Sequence, residues 1–197
     1  GNDELLFYWS YVENDPDYGQ NMTIQRIVRD APSEAGSVWG TLGWGYAIPQ
    51  RSLYEAFEEG DPRRKFTVYA PGDDFGPYSG STPWTYTHKG YDENGEIISW
   101  ETTYNAGDII KYDYRWSETG LNVRKMIRNV ANLANVRWSG LDIPVMRMAE
   151  LYLILAEALA EQGKPEALTW VNKVRARPSV NMPPKTESDG PLVDLVR

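Results

Sequence analysis

Several kinds of residue and segment are missing from this sequence. None of its 197 residues is cysteine, which excludes disulfide bonds, thiolate metal sites and a cysteine nucleophile. The single histidine, His88, lies in a polar, turn-rich stretch without a nearby nucleophile signature, and this argues against a catalytic triad. No apolar run reaches the roughly 18 residues that a membrane-spanning helix needs. We therefore expect neither thiol chemistry nor a membrane-spanning segment in this sequence.

Basic residues are scarce in the first part of the sequence. Residues 1–120 carry 9 basic and 20 acidic side chains, whereas residues 121–197 carry 11 basic and 8 acidic ones. Nucleic-acid binding requires a concentrated basic surface. The acidic first part of the chain therefore argues against nucleic acid as a partner.

Aromatic residues divide the chain at the same place. All but three of them lie between Phe7 and Trp116, and the part beyond residue 120 is mainly aliphatic. We expect a loop-rich, aromatic part over residues 1–120 and a helical hairpin part over residues 121–197.

The hairpin is predicted by the pattern of apolar residues near the end of the chain. From residue 145 to residue 160 only Arg147, Glu150 and Glu157 are polar, and these three fall on one stripe of a helix. Gly163 is a natural helix end, and Pro165 opens a second helix that runs to residue 177. Because the first helix is apolar on most faces, one partner helix cannot cover it. We expect the hairpin to expose an apolar patch where further helices would dock, or to cover that patch by self-association.

Short strands and turns are predicted for the rest of the chain. Residues 5–12 and 23–28 have strand-like composition, and Asn94-Gly95 is the strongest hairpin signal in the sequence. Ser52 and Glu55 have the spacing of a capping box at the start of a helix over residues 52–59. The predicted fold is mainly α-helical, with irregular and short β segments.

The late helices, read together with segments upstream, resemble a known family. Residues 148–176 first resemble a tetratricopeptide unit, which requires stacked neighbours. A more specific resemblance, to the C-terminal part of the SusD/RagB family, is carried by NDELLF (2–7), the P…L…F…DPRR pattern from Pro49 through Leu53 and Phe57 to residues 61–64, Lys125, IPVMRMAELYLILAEA (143–158), AL (167–168) and VNKVRAR (171–177). These motifs occur in the family's order.

The resemblance implies a non-catalytic protein that binds glycans at the bacterial cell surface. Members of this family are outer-membrane lipoproteins that pass oligosaccharides to a SusC-like TonB-dependent transporter. They are considerably longer than this chain, so the resemblance implies that the lipid-anchoring cysteine and most of the tetratricopeptide-like helices precede it. It implies no cofactor and no metal.

The implied sugar binding makes the aromatic side chains of residues 1–120 the candidate ligand contacts. A sugar ring stacks its C–H groups on an aromatic face while its hydroxyls form hydrogen bonds. The candidate ligand-binding residues form one group in a glycine-rich loop and a second around the predicted hairpin: Trp39, Trp44 and Tyr46, then Tyr78, Trp84 and Trp100. The alternative for each group is that its rings pack into the protein interior.

Two other functions stay open at this point. The hairpin fits a tetratricopeptide-like module that binds a peptide, in which case the aromatic residues would be core. The abundant carboxylates would also allow a glycoside hydrolase if two of them lay about 5–9 Å apart. The acidic run from Asp92 to Glu96 is better explained by a hairpin turn than by a calcium loop.

Overall fold

The computed structural model describes residues 4–12, 15–21, 44–125 and 138–196. The predicted strand at residues 23–28 and the candidate residue Trp39 lie outside these ranges. Two compact units are formed: unit 1 comprises Gly1–Ser10, Glu59–Pro62 and Asp142–Arg197, and unit 2 comprises Tyr11–Glu58 and Arg63–Leu141.

The described residues form five α-helices and ten short strands. The helices are α1 (Arg51–Glu55), α2 (Arg63–Thr67), α3 (Met148–Ala160), α4 (Ala167–Arg175) and α5 (Leu192–Val196). The strands are β1 (Leu5–Trp9), β2 (Gln20–Asn21), β3 (Val68–Tyr69), β4 (Asp74–Pro77), β5 (Trp84–Tyr91), β6 (Ile97–Tyr104), β7 (Ile109–Lys111), β8 (Asn122–Val123), β9 (Trp138–Ser139) and β10 (Ile143–Arg147). The architecture is thus mixed α/β, and the prediction of a mainly α-helical chain was wrong in its proportions.

Unit 1 combines a two-stranded antiparallel sheet with helices. Strand β1 pairs with β10, and α3 packs against both α4 and α5. The chain reverses between α3 and α4 at Gly163, whose φ is 67°. The predicted pair of helices is therefore present, whereas its likeness to a tetratricopeptide unit stays a prediction.

The first helix of this pair begins three residues later than the sequence pattern predicts. Residues 145–147 belong to β10, where Arg147 is paired with Leu5 of β1. The backbone N–H of Met148 also donates to the carbonyl of Glu4. Pairing with a distant strand satisfies these backbone groups, and it overrides the helical spacing of the side chains.

Small residues line the buried side of the helix pair. Ala156 and Ala160 of α3 and Ala167 of α4 are buried, while Tyr152 lies 5.3 Å from Trp170 between ring centroids. The larger aliphatic side chains of α3 stay exposed, namely Leu151, Leu153, Ile154 and Leu155. The predicted exposed apolar patch is present on this helix.

In its described residues, unit 2 contains four antiparallel strand pairs and two short α-helices. The pairs are β2 with β9, β3 with β8, β4 with β7, and β5 with β6. The predicted hairpin is confirmed, because β5 and β6 pair antiparallel from Trp84 to Tyr91, and Gly95 has a φ of 82° at the turn between them. The carboxylate of Asp92 closes this turn by accepting hydrogen bonds from the backbone N–H groups of Asn94 and Glu96.

The interior of unit 2 is aromatic. Its main cluster consists of Tyr69, Phe75, Tyr78, Tyr104, Ile110, Tyr112 and Trp116, all of them buried. A smaller cluster is built from Val68, Ala70 and Leu121, with Tyr54 and Phe57 packed against it. The aromatic-rich first part of the sequence therefore supplies much of its own core.

The capping box predicted at Ser52 was wrong. Helix α1 begins at Arg51 with Gln50 as its N-cap, and no side chain caps it, so Ser52 lies inside the helix. A capping box forms instead between Thr186 and Asp189, at a 3₁₀ turn. In the described part of the chain, no helix combines the length and apolar character needed to cross a lipid bilayer.

Candidate functional site

The β5–β6 hairpin sorts its side chains by alternation. Trp84, Tyr86 and His88 point to one face, because successive strand residues face opposite sides of a sheet. Across the strand pair, Tyr104 lies opposite Trp84 and Trp100 lies opposite His88. One face of the hairpin is therefore almost entirely aromatic, and it packs on the core of unit 2.

This packing determines where three of the candidate residues lie. Tyr78 is only 4% exposed, and its hydroxyl donates to the carbonyl oxygen of Thr82 at 2.6 Å. Trp84 is half-buried, with its ring centroid 5.8 Å from that of Tyr78 and 5.7 Å from that of Tyr104. Trp100 is also half-buried and stacks on the His88 ring at 5.2 Å with an interplanar angle of 13°. These three rings contribute to the interior of unit 2.

Trp44 and Tyr46 are placed differently. Trp44 is 49% exposed and Tyr46 is 61% exposed, and their rings meet edge to face with centroids 5.6 Å apart. We call these two residues the exposed ring pair. Large aromatic side chains that remain this accessible are available to a ligand.

The segment that carries the exposed ring pair is fixed at its C-terminal end. The hydroxyl of Thr119 donates to the carbonyl of Pro49 at 2.7 Å, and Pro49 is buried. Helix α1 follows directly and packs Tyr54 against the smaller core cluster. Pro49 and Phe57, which contribute to the family resemblance, thus have a structural role here.

A surface groove of about 300 Å³ lies in unit 2 beside α1. Its lining comes from α1, the turn of the β5–β6 hairpin and two core loops: Arg51, Tyr54, Ala70, Pro71, Tyr91, Asp92, Glu93, Gly95, Gly120 and Leu121. The guanidinium of Arg51 lies 5.0 Å from the centroid of the Tyr91 ring, and its Nε donates to Glu55 at 3.1 Å. Sequence reasoning missed this groove, because no local pattern connects residues 51 and 91.

A buried polar network supports the aromatic face of the hairpin. Asp113 is fully buried, and its carboxylate accepts hydrogen bonds from the backbone N–H of Lys89 at 2.6 Å and from the side chain of Arg115. Arg115 also lies 5.1 Å from the centroid of the Tyr86 ring. The buried charge of Asp113 is thereby balanced by a cation and by backbone donors.

His88 belongs to the same network. The Tyr104 hydroxyl accepts from the backbone N–H of Lys111 at 3.1 Å and lies within hydrogen-bond distance of His88 Nε2, at 2.7 Å. The other ring nitrogen, Nδ1, lies 3.7 Å from the Asp113 carboxylate. Burial lowers the pKa of His88, while the charge of Asp113 opposes this shift and that of Arg115 adds to it. His88 is a neutral core residue near pH 7.

Acidic side chains in the described part of the chain do not assemble a metal site. Within these ranges, no group of three or more histidine, aspartate or glutamate residues converges in a way that could hold a metal ion.

Comparisons with known proteins agree with the fold. A SusD-like carbohydrate-binding protein from Bacteroides fragilis NCTC 9343 is 25% identical with a TM-score of 0.61, and the match covers 99% of this chain and 38% of that one. A SusD superfamily protein from Parabacteroides distasonis ATCC 8503 is 20% identical with a TM-score of 0.56, covering 98% of this chain and 35% of that one. A SusD-like protein from Bacteroides fragilis NCTC 9343 is 22% identical with a TM-score of 0.58, with coverage of 99% and 39%. This chain therefore spans less than two fifths of the length of the solved structures that it matches.

A search of curated proteins gave no match. The family model of the SusD family, in contrast, matches residues 9–193, which is nearly the whole sequence. This chain belongs to the SusD family.

Proposed function

We propose that this chain is part of a glycan-binding protein and that its exposed ring pair stacks on sugar rings. The observation that carries the proposal is the accessibility of Trp44 and Tyr46, which contrasts with the packed placement of Tyr78. Two rings that meet edge to face offer a sugar two differently oriented apolar surfaces.

The relatives support this assignment. One solved structure at 25% identity is described as a SusD-like carbohydrate-binding protein, and this chain has the same family membership. The proposed activity is binding without hydrolysis, with oligosaccharides or polysaccharides as ligands. Trp39, which lies five residues before Trp44 in the sequence, is proposed as a further ring of the same site.

We further propose that the whole protein sits on the outer membrane and delivers its glycan to a SusC-like TonB-dependent transporter. This proposal rests on the family resemblance. Purification of the full-length protein from its native membrane under mild detergent should recover a transporter in the same complex. Recovery of the protein from the membrane without any TonB-dependent transporter would contradict it.

A titration with malto-, xylo- and manno-oligosaccharides tests the glycan proposal. Tryptophan fluorescence should change saturably with at least one of them, because a stacked sugar displaces water from the Trp44 ring. Reducing-end assays on the same samples should stay flat over hours. Release of reducing sugar would instead favour a glycoside hydrolase, and lack of response to all glycans would favour a peptide-binding module.

A further inference from the structure

We propose that the groove beside α1 is a second sugar subsite and that it selects uncharged sugar rings over uronate or sulfated ones. The inference rests on the proposed glycan-binding function and adds to it a location and a ligand charge. The groove has the size, the wall chemistry and the charge that such a subsite needs.

Size comes first. At about 300 Å³, the groove lies at the lower end of the range of small-molecule sites, roughly 300–1,000 Å³. Its floor includes Ala70 and Leu121, which are buried and held by the smaller core cluster. The groove therefore suits one or two sugar rings rather than a long enclosed chain.

The walls combine apolar surface with hydrogen-bonding groups. Tyr54 and Tyr91 both contribute to the lining, and Tyr91 is braced by Tyr114 at 5.7 Å between centroids. Arg51 has N–H groups beyond the one that it gives to Glu55, and Glu93 offers carboxylate oxygens. This is the mixture of ring faces, donors and acceptors that a polyhydroxylated ring requires.

The charge of the groove is negative. Arg51 is its one cationic lining residue among those described, and Glu55 neutralises it through a salt bridge at 3.1 Å. Asp92 and Glu93 then remain as lining carboxylates. Backbone N–H donors of the turn, with that of Glu96 contributing most, lower the pKa of Asp92 and keep it ionised. An anionic sugar would be repelled at short range, whereas an uncharged one would not.

The groove also lies next to the exposed ring pair along the chain. The segment with Trp44 and Tyr46 leads directly into α1, whose first residue is Arg51. The hydroxyl of Thr119, which holds Pro49 of this segment, belongs to the loop that contributes Gly120 to the groove. The two surfaces are therefore carried by adjoining segments of the chain within unit 2.

A glycan array tests the selection by charge. It should carry xylo- and manno-oligosaccharides together with oligogalacturonates and chondroitin sulfate, and it should be read in about 0.15 M salt so that only charges within roughly 8 Å act strongly. We expect the wild-type chain to bind neutral probes and not the acidic ones. Binding confined to acidic probes would overturn the proposal.

A charge-reversal variant tests whether the groove is responsible for the selection against acidic sugars. Glu93→Lys should raise binding to acidic probes by about three- to tenfold, because Glu93 lines the groove and its side chain is exposed. Glu96→Lys is the matched control, since it lies on the same turn but outside the lining. Equal effects of the two variants would contradict a subsite in the groove.

Removing the Tyr91 ring tests whether a sugar occupies the groove. Tyr91→Ala should weaken binding of a neutral probe by about tenfold, with circular dichroism to verify the fold. If Trp44→Ala abolishes binding while Tyr91→Ala and Glu93→Lys behave as wild type, the groove is not a subsite and the glycan proposal stands. If the wild-type chain binds no glycan, the proposed function itself fails.

Discussion

At the scale of single residues, burial decides whether a polar or aromatic side chain is structural or available. The fully buried His88 has no hydrogen-bond partner for Nδ1 among the described residues and faces Asp113 at 3.7 Å. A histidine held neutral in this way cannot gain a proton without bringing a charge into the interior. This single residue therefore links the stability of unit 2 to pH.

The direction in which the stability of unit 2 changes with pH follows from the pKa shift of His88. Because burial lowers the pKa of His88 in the folded state below its ordinary 6.5, the unfolded chain binds the proton first as the pH falls. The folded state is then disfavoured from about pH 6.5 downward, until the lowered pKa is passed. Urea unfolding should give a stability that drops between pH 7 and pH 5, with a His88 contribution of at most about 2 kcal/mol at pH 5.

The variant His88→Gln isolates this contribution. It keeps a polar side chain but does not titrate, so its free energy of unfolding should fall less between pH 7 and pH 5 than that of the wild type. Identical pH profiles of the two proteins would show that His88 is not a buried neutral group.

At the scale of elements, local signals in the sequence were reliable where the structure is local. The Asn94-Gly95 turn was predictable because Gly95 takes a φ of 82° there, a conformation that glycine adopts readily, and the end of α3 at Gly163 was predictable for the same reason. The start of α3 was not, because its first three predicted residues belong to β10, which pairs with β1 about 140 residues away in the sequence. The capping box at Ser52 failed because the spacing of Ser52 and Glu55 does not fix where a helix begins.

For the candidate site, too, local patterns in the sequence account for part of the arrangement, and contacts between distant residues account for the rest. Strand alternation explains why Trp84 and Trp100 share a face with neighbouring rings, but the alternation does not say whether that face meets solvent or a core. The groove depends on α1 meeting the hairpin turn, a contact between Arg51 and Tyr91 across 40 residues of sequence. Such a contact has no signature in a single sequence.

The turn between α3 and α4 gives a test at this scale. Gly163 has a φ of 67°, and a Cβ at this position would meet no atom within 4 Å, so Gly163→Ala introduces only backbone strain. We expect a loss of about 1–2 kcal/mol in the free energy of unfolding. Gly163→Asn should cost less, because asparagine tolerates the left-handed region. Urea denaturation would contradict the assignment if alanine cost nothing or if asparagine cost as much as alanine.

At the scale of the whole molecule, the exposed apolar side of α3 is the feature most unlike an ordinary protein surface. Leu151, Ile154 and Leu155 are exposed and share one face of this helix by their spacing, and Val145 and Met146 of β10 are exposed as well. Exposed apolar surface of this kind marks regions that associate. The solved structures matched by this chain are more than twice its length.

Self-association of this chain in isolation is the corresponding prediction. Sedimentation velocity should show an apparent mass that rises with concentration, because association removes the α3 side chains from water. Ile154→Lys should reduce this rise, whereas Thr169→Lys, which adds the same charge at an exposed position on α4, should not. A wild-type chain that stays monomeric at all concentrations would contradict an associating surface on α3.

The most direct test of the central claim, that the exposed ring pair holds sugar, compares Trp44→Ala with Trp84→Ala by calorimetric titration and thermal unfolding. With the oligosaccharide that the wild type binds best, Trp44→Ala should lose binding at least tenfold while its melting temperature stays within about 2 °C of wild type. Trp84→Ala should instead destabilise unit 2 by about 3 kcal/mol, since its ring packs against Tyr78, Tyr86 and Tyr104. Full affinity in Trp44→Ala, or a large drop in its melting temperature, would contradict the account.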